Sequence, residues 1–322
     1  MVMLQYLHMQ WGRKQKGQRG FTIVELLIVI VVIGILAAIT IVAFNGVQNR
    51  AKDSAAQSMA SQVGKKVAEY AVMNADTYPA DKASLLTSTG VSETGGTTYD
   101  YIASPSQKAF CVTATKQSVS YSFSSVSGTA VKGRCIENLA VNPSVNSTLQ
   151  SSFGAAGSTF ATNSKTIATD RAHEGANSLR TAISGTGQAS TMSKPVAGTR
   201  VNAGEYLSWS FWVYSTRAGS AFNIVEGSRV SDSVYQNSVE AISIPANAWT
   251  KISRTWSPAF DMNISQIGFY NLQVVSGDFV WFDELTIHKS DTLYGYSGGD
   301  NTGAFWNGAV NASSSVNIVS AE

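Results

Sequence analysis

An uncharged apolar run at residues 26–44 constrains this chain more than any other feature. Its nineteen residues include one conventional polar side chain, Thr40. As an α-helix the run would be about 28 Å long, close to the thickness of the hydrocarbon core of a bilayer. The first twenty residues contain no acidic side chain and four basic ones: Arg13, Lys14, Lys16 and Arg19. The positive-inside rule keeps these in the cytoplasm, so the run predicts a membrane-spanning helix with the rest of the chain outside.

Glu25 stands in the first turns of this helix, immediately before the uncharged run. An ionised carboxylate inside hydrocarbon costs about 2.5 to 3.5 kcal/mol, and less near the headgroups. A cleavable secretory signal has a shorter apolar region, followed by a cleavage site of small residues. A plain signal anchor would account for the run and for the basic residues, but it leaves Glu25 without a function.

The residues around Glu25 resemble the processing motif of type IV pilins and pseudopilins. The stretch GFTIVELL, residues 20–27, follows a basic leader at residues 1–20 and opens the apolar run. The resemblance implies that a prepilin peptidase cuts after Gly20, that the new N-terminal Phe21 is N-methylated, and that Glu25 is retained. It also implies that Glu25 neutralises the N-terminal amine of a neighbouring copy, which offsets part of the desolvation cost of both charges. A signal anchor is the alternative.

Beyond the apolar run the pattern becomes amphipathic, with apolar residues every three or four positions from Val47 to Tyr70. This predicts one helix at about residues 21–73, with its second half packed on a small sheet. Pro79 ends the pattern, because proline lacks an amide proton and restrains the residue before it. Short strands are predicted at residues 99–103, 109–115 and 119–124. Together with the resemblance, the pattern predicts an α+β pilin-like domain at residues 21–135, in which a long helix packs on an antiparallel sheet.

Cys111 and Cys135 are the only cysteines of the chain, 24 positions apart. Outside the cytoplasm such a pair most often forms one disulfide, which would stabilise the fold by about 3 kcal/mol in the chain-entropy model. Two unpaired thiols are the alternative. We favour the disulfide because the preceding segment predicts export. The two positions also resemble the place where many pilins staple their C-terminal region.

The composition changes after Cys135. Six of the seven tryptophans lie between residues 209 and 306, and strand-like runs alternate with Gly, Asn and Ser clusters. This pattern predicts an all-β sandwich at residues 136–290. A segment rich in Gly, Ser and Asn follows at residues 291–322, and it contains four aromatic residues: Tyr294, Tyr296, Phe305 and Trp306. We expect this segment to fold back on the module.

Residues 205–214 show how the two faces of one predicted strand divide. Alternation places four apolar residues on the core side: Leu207, Trp209, Phe211 and Val213. The opposite side presents serines and three candidate carbohydrate-binding residues: Tyr206, Trp212 and Tyr214. Aromatic rings beside hydroxyls suit a sugar, which stacks on the ring and forms hydrogen bonds at its edge. Packing beneath a loop explains the same composition, and it is the commoner arrangement for aromatic residues.

Three stretches of the second module, at residues 138–146, 173–180 and 279–287, resemble carbohydrate-binding modules of the calcium-stabilised jelly-roll type. The resemblance implies a jelly-roll fold and one structural calcium ion, held by Asp283 and by Asn146. An acid is usual in the family at the position of Asn146, so the amide keeps an oxygen ligand but loses a charge, which should lower the affinity for calcium. The alternative is that Asp283 lies at a bulge and accepts hydrogen bonds from the backbone.

Charge and composition argue against two classes of function. Removing the four leader residues from the 23 Lys and Arg leaves 19 basic against 21 acidic residues, which is unlike the basic surface that nucleic-acid binding requires. The three histidines lack metal-ligand spacing. The sequence brings no two carboxylates into the range that a glycosidase needs, so we do not expect an enzyme. The acids considered for such a glycosidase pair are Glu205, Glu226, Glu240, Asp261 and Glu284.

These features lead to one main hypothesis and one alternative. The main hypothesis is a prepilin-like subunit that is cleaved in the inner or cytoplasmic membrane, assembles with copies of itself or with other pilins, and displays an adhesive or glycan-binding sandwich on an extracellular pilus or on the cell surface. The alternative is a pseudopilin of a secretion or DNA-uptake machine, whose sandwich binds a protein cargo.

Overall fold

The computed structural model describes residues 22–104, 108–140, 153–154, 163–173, 175–193, 195–296, 304–306 and 315–319. Three candidate site residues named above, Gly20, Phe21 and Asn146, lie outside these ranges, as do the four basic residues of the leader. The chain divides into two compact units, Met1–Ala51 and Lys52–Glu322.

The described residues form helices α1 and α2 and strands β1 to β18. The helices are α1 (Ile23–Met73) and α2 (Lys82–Thr89). The strands are β1 (Thr97–Ser104), β2 (Ala109–Lys116), β3 (Val119–Ser124), β4 (Ala130–Lys132), β5 (Arg134–Asn138), β6 (Phe153–Gly154), β7 (Asn163–Ala168), β8 (Ser178–Ile183), β9 (Gly187–Ser193), β10 (Arg200–Val201), β11 (Leu207–Ser215), β12 (Gly219–Arg229), β13 (Tyr235–Ile244), β14 (Trp249–Trp256), β15 (Met262–Val274), β16 (Phe279–His288), β17 (Phe305–Trp306) and β18 (Ser315–Val319).

In the first unit, the described residues belong almost entirely to α1. Every side chain from Thr22 to Ala51 is exposed. By length and composition this segment can cross a membrane. Its many β-branched residues are compatible with a helix there, because hydrocarbon offers the backbone no hydrogen-bond partner outside the helix itself. An exposed apolar surface of this extent is favourable only when lipid or other apolar helices cover it.

In the second unit, the remainder of α1 packs on a four-stranded antiparallel sheet of order β1-β2-β3-β4. The buried helix residues recur every three or four positions and form one stripe: Ala56, Ala60, Val63, Gly64, Val67 and Ala71. The stripe meets apolar side chains of the sheet, among them Phe110, Val112 and Phe123. The predicted α+β domain with a long helix on a small antiparallel sheet is therefore confirmed.

The end of the chain completes this domain. β18 pairs with β5 over five residues, from Ser315 opposite Asn138 to Val319 opposite Arg134. Phe305 and Val316 are buried against Ala109 and the two cysteines. Cys111 and Cys135 are joined by a disulfide. The last strand thus returns to β5 instead of joining the sandwich, and the sandwich is an insertion between β5 and β17.

The inserted residues form two antiparallel sheets. The front sheet has the order β13-β12-β15-β9-β6, with β10 beside β15, and the back sheet has the order β14-β11-β16-β8-β7. The core between them contains four large buried aromatic residues: Trp209, Phe211, Phe269 and Phe282. The Nε1–H of Trp209 donates to Asn223 Oδ1 at 2.8 Å, which satisfies the polar edge of this buried ring. The predicted all-β sandwich is confirmed.

Asn138 fixes β5 to the sandwich. Its side chain is fully buried. Its Nδ2 donates to the carbonyl of Leu285 at 3.1 Å, and its Oδ1 accepts from the N–H groups of Ile287 at 2.9 Å and Ala140 at 3.1 Å. One amide therefore holds the end of β5 against β16. The boundary that the sequence suggests, at residue 136, falls inside β5.

Candidate functional site

Glu25 closes the first turn of α1. Its Oε2 accepts from the backbone N–H of Thr22 at 2.9 Å and from Thr22 Oγ1 at 2.8 Å, and the N–H of Glu25 donates to Thr22 Oγ1 at 3.2 Å. This reciprocal pattern is a capping box, which satisfies N–H groups that a helix otherwise leaves free at its start. The carboxylate therefore has donors within its own chain, at the position where the resemblance implies a function in assembly.

The aromatic residues that the sequence suggests for sugar binding are placed differently from one another. Tyr206 precedes β11 and is 47% exposed, whereas Tyr214 is only 7% exposed. Trp212 is half-buried, and it lies with Tyr214 on the face of β11 opposite to Phe211. The predicted division of the strand into a core side and an opposite side is therefore observed.

Two side chains of a nearby loop lie against these rings. We call this loop, residues 169–173 and 175–177, the covering loop. The guanidinium of Arg171 lies 4.0 Å from the ring centroid of Tyr214 and 5.1 Å from that of Trp281. The ring of His173 stacks on Trp212, with centroids 3.7 Å apart and an interplanar angle of 15°. Trp212 and Tyr214 thus pack beneath a loop, and Tyr214 is not open to a ligand. The physical reason is that cation–π contact and stacking cover aromatic surface that water would otherwise meet.

Beside Trp212 is a cleft of about 330 Å³, lined by His173, Lys251, Glu284 and Tyr296 among others. The Nδ1 of His173 lies 2.9 Å from Glu284 Oε1, so the ring is held from its face and from its edge. Glu284 has a φ of 49°, where the register between β11 and β16 shifts. A positive φ at a non-glycine residue is strained, and here the bulge turns two successive acids toward the covering loop.

Asp283 is 1% exposed and is satisfied by the backbone. Its Oδ2 accepts from the N–H of His173 at 2.8 Å, and its Oδ1 accepts from the N–H of Glu284 at 2.9 Å. Such bonds are the usual compensation for a buried carboxylate, and they match the bulge alternative. Within the described residues, no group of three or more His, Cys, Asp or Glu could hold a metal ion. Asn146 lies outside them, so the calcium site stays a prediction.

The structure also brings together residues that the sequence did not suggest as a sugar-binding site, although Glu226 is among the acids that the sequence raised. On the outer side of the front sheet, Phe222 of β12 lies directly opposite Tyr270 of β15. Their rings stack with centroids 5.3 Å apart. Glu226, four residues after Phe222 on β12, lies opposite Gln266 of β15. The hydroxyl of Tyr235, on β13, donates to Glu226 Oε2. We call these five residues the front-face site.

The front-face site joins an aromatic surface to a polar one. Glu226 is 8% exposed, Tyr235 is 58% exposed, and the Oε1 of Gln266 is buried without a hydrogen-bond partner among the described residues. Desolvation and the hydrogen bond to Glu226 raise the pKa of Tyr235 to about 12, so the phenol keeps its proton well into alkaline solution. Alternation in the sequence of β12 places Phe222 and Glu226 on one face, but the partners on β13 and β15 depend on strand pairing that a local pattern does not specify.

Comparison with known proteins shows that the N-terminal part of the chain is similar to type IV pilins. A family model described as the prokaryotic N-terminal methylation motif matches residues 15–41. The chain is 37% identical over 101 residues to a fimbrial protein of Neisseria meningitidis serogroup A / serotype 4A, which is 31% of this chain and 56% of that protein. It is 36% identical over 101 residues to the type IV major pilin protein PilE of Neisseria gonorrhoeae, which is 31% of this chain and 58% of that one. The chain therefore spans less than two thirds of these relatives, and it is type IV pilin-like at its N terminus.

Several solved structures resemble the chain over about half its length. A family 16 carbohydrate binding module-2 gives a TM-score of 0.35 at 13% identity, covering 47% of this chain and 99% of that one. A family 11 carbohydrate-binding module from Clostridium thermocellum, in complex with a β-1,3-1,4-mixed-linked tetrasaccharide, gives a TM-score of 0.35 at 16% identity. The match covers 48% of this chain and 97% of that one. The enzymatically active domain of tailspike protein 4 of bacteriophage CBA120 gives a TM-score of 0.38 at 12% identity. The match covers 47% of this chain and 21% of that one. TM-scores below 0.5 establish no shared ligand, and the sandwich is defined by its own strand order.

Proposed function

We propose that the chain is a prepilin-like subunit of a type IV pilus or a related filament, and that its sandwich binds a glycan outside the cell. One observation carries the proposal of assembly: the N-terminal methylation motif opens an apolar helix segment whose side chains are all exposed. Lipid covers this surface while the subunit is in the inner or cytoplasmic membrane. Helices of other copies, or of other pilins, cover it in the extracellular filament.

On this proposal a prepilin peptidase cuts after Gly20 and leaves Phe21 with an N-methylated amine. Glu25 neutralises that amine on a neighbouring copy, because an unpaired charge in a low-dielectric bundle is strongly unfavourable. The capping box with Thr22 is compatible with this pairing. Its bonds use Oε2, and an ionised carboxylate has about four acceptor positions in total.

The front-face site supports glycan binding. The stacked pair of Phe222 and Tyr270 offers an apolar surface to the face of a sugar ring. Beyond it, the pair of Glu226 and Gln266 lies beside Tyr235, whose exposed phenol offers a hydrogen-bonding group to a sugar hydroxyl. The two pairs are four residues apart along β12, which is about 13 Å in an extended strand, a length that suits more than one sugar unit. Trp212 and Tyr214 are less suitable, since His173 and Arg171 already occupy their rings.

Mass spectrometry of protein extracted from the membrane tests the processing step. We expect the mass of a chain that begins at a methylated Phe21. An intact N terminus in cells that possess an active prepilin peptidase would contradict assembly.

A glycan array tests the binding step, and it should use the full-length chain in detergent. A fragment cut at residue 136 would divide β5, on which β18 depends. We expect selective binding, and we expect the double variant Phe222→Ala, Tyr270→Ala to lose it. Phe260→Ala is the matched control, since this phenylalanine is 46% exposed outside the front-face site. No binding to any glycan, with retained binding to a protein partner, would favour the pseudopilin alternative.

A further inference from the structure

Glu226 differs in its surroundings from the other four acids that the sequence raised as candidates. Four acids that the sequence raised as candidates each pair with a basic residue: Glu205 with Lys289 at 3.2 Å, Glu240 with Arg254 at 3.7 Å, Asp261 with Arg200 at 2.5 Å, and Glu284 with His173 at 2.9 Å. Glu226 is 8% exposed, and within the described part of the chain it makes no ion pair.

A buried carboxylate without a cation is costly. Acidic side chains are almost never buried unless they are paired, since moving a charge out of water is opposed by several kcal/mol. The phenol of Tyr235 supplies one hydrogen bond to Oε2, but it supplies no positive charge. The partner across the ladder, Gln266, is neutral and has its own buried Oε1 without a partner among the described residues. The front-face site therefore concentrates acceptors and lacks a cation.

Position places Glu226 next to a ligand of the front-face site, with 8% of the residue left exposed. It lies on the same face of β12 as Phe222, and Tyr235, which holds it, is 58% exposed. A ligand that stacks on Phe222 and Tyr270 and extends along β12 reaches Glu226 with a unit further along the polymer. A positive group at that point would pair with the carboxylate, as a lysine or an arginine does with three of those four acids.

Resting on the proposed glycan-binding function, we propose that the ligand is an amino glycan, a polymer with free amine groups, and that Glu226 binds one ammonium group of it. An ammonium donates up to three hydrogen bonds and carries the missing charge. The same carboxylate repels glycans that carry carboxylate or sulfate groups. Charge at one position thus selects among sugar polymers that would stack equally well on the aromatic pair.

The test compares ligands that differ in this charge. Full-length protein in detergent is titrated with chitosan oligosaccharides, which have free amines, with chitin oligosaccharides of the same length, in which acetylation removes the charge, and with hyaluronate oligosaccharides, which are acidic. We expect chitosan to bind at least about tenfold more tightly than chitin, the size of effect expected of a hydrogen bond to a charged group, and hyaluronate to bind most weakly. Added salt should weaken the binding of chitosan more than that of chitin.

Two variants assign the preference to Glu226. Glu226→Gln keeps the shape and an acceptor for Tyr235 but removes the charge, so we expect the preference for chitosan over chitin to disappear while chitin binding changes by less than about twofold. Glu240→Gln is the matched control, because it removes an exposed acid of the neighbouring strand that is paired with Arg254. We expect it to keep the preference, and unchanged thermal unfolding of both variants shows that they are folded.

The outcomes separate this inference from the proposed function. Equal binding of chitosan and chitin by the unaltered protein, or a preference that survives in Glu226→Gln, overturns the assignment of Glu226 and leaves glycan binding in place. A protein that binds no glycan of any class overturns both.

Discussion

Ile318 pairs with Cys135 across the ladder between β18 and β5, so the end of the chain is held beside the residue that is bonded to Cys111. The inserted sandwich is consequently attached to the pilin-like domain at both of its ends. A load applied to the sandwich reaches the sheet through β5 and through β18, whereas a module appended to a completed domain would transmit it through one strand.

The C-terminal strand should contribute to the stability of the pilin-like domain. Val316 is fully buried against the two cysteines and Phe305, so we expect Val316→Ala to lower the free energy of unfolding by about 2 kcal/mol through lost burial and a residual cavity. Denaturant unfolding of the full-length protein in detergent measures this. Val319→Ala, at a half-buried position of the same strand, should have a smaller effect; an equal effect would show that the strand is not packed as described.

Gly64 permits the close approach of α1 to the sheet. A Cβ at this position would lie 2.2 Å from Cδ1 of Phe123, so we expect Gly64→Ala to destabilise the protein by about 1 to 3 kcal/mol despite the better helix propensity of alanine. Gly46→Ala is the control in the same helix, where an added Cβ meets nothing within 4 Å. That variant should be neutral or more stable. Thermal unfolding compares them, and a stabilised Gly64→Ala would contradict the packing.

Glu25 combines capping with the proposed charge pairing, and two variants separate these effects. Glu25→Ala removes both, while Glu25→Gln keeps an acceptor for the capping box with Thr22 but cannot neutralise an amine. We expect both to enter the membrane, and both to be incorporated into filaments at least about tenfold less than the unaltered chain, because one charge is left unpaired. Immunoblots of sheared filaments and of membranes measure the two pools. Normal incorporation of Glu25→Gln would assign the residue to capping alone.

Calcium removal tests the predicted site at Asp283 and Asn146. A bound ion stabilises the folded state, so we expect a chelator to lower the melting temperature and added calcium to restore it. Asn146→Asp should make the response appear at lower calcium concentrations, because it supplies the charge that the amide lacks. Scanning calorimetry over a calcium series measures this. A melting temperature that is independent of calcium in both proteins would contradict the calcium site and favour the bulge alternative for Asp283.

Local pattern in the sequence was sufficient for the elements that depend on nearby residues. The apolar run and the three-to-four spacing after it predicted a helix at about residues 21–73, and the structure has α1 at Ile23–Met73. The same holds for the sides of β11, since alternation of side chains is a property of any strand. The methylation motif is likewise readable from a few adjacent residues, and the comparisons confirm it.

What the sequence by itself determined about this protein is therefore its long apolar helix, its motif around Glu25 and the presence of an α+β domain and a β-sandwich. Only the tertiary structure decided that Arg171 and His173 cover Tyr214 and Trp212, that Glu226 meets Tyr235 and Gln266, and that β18 returns to β5. The physical reason is that helix and strand periodicity depends on neighbours within a few positions. Which strand or loop covers a given face depends instead on contacts between residues far apart in the chain, and a local pattern does not specify those contacts.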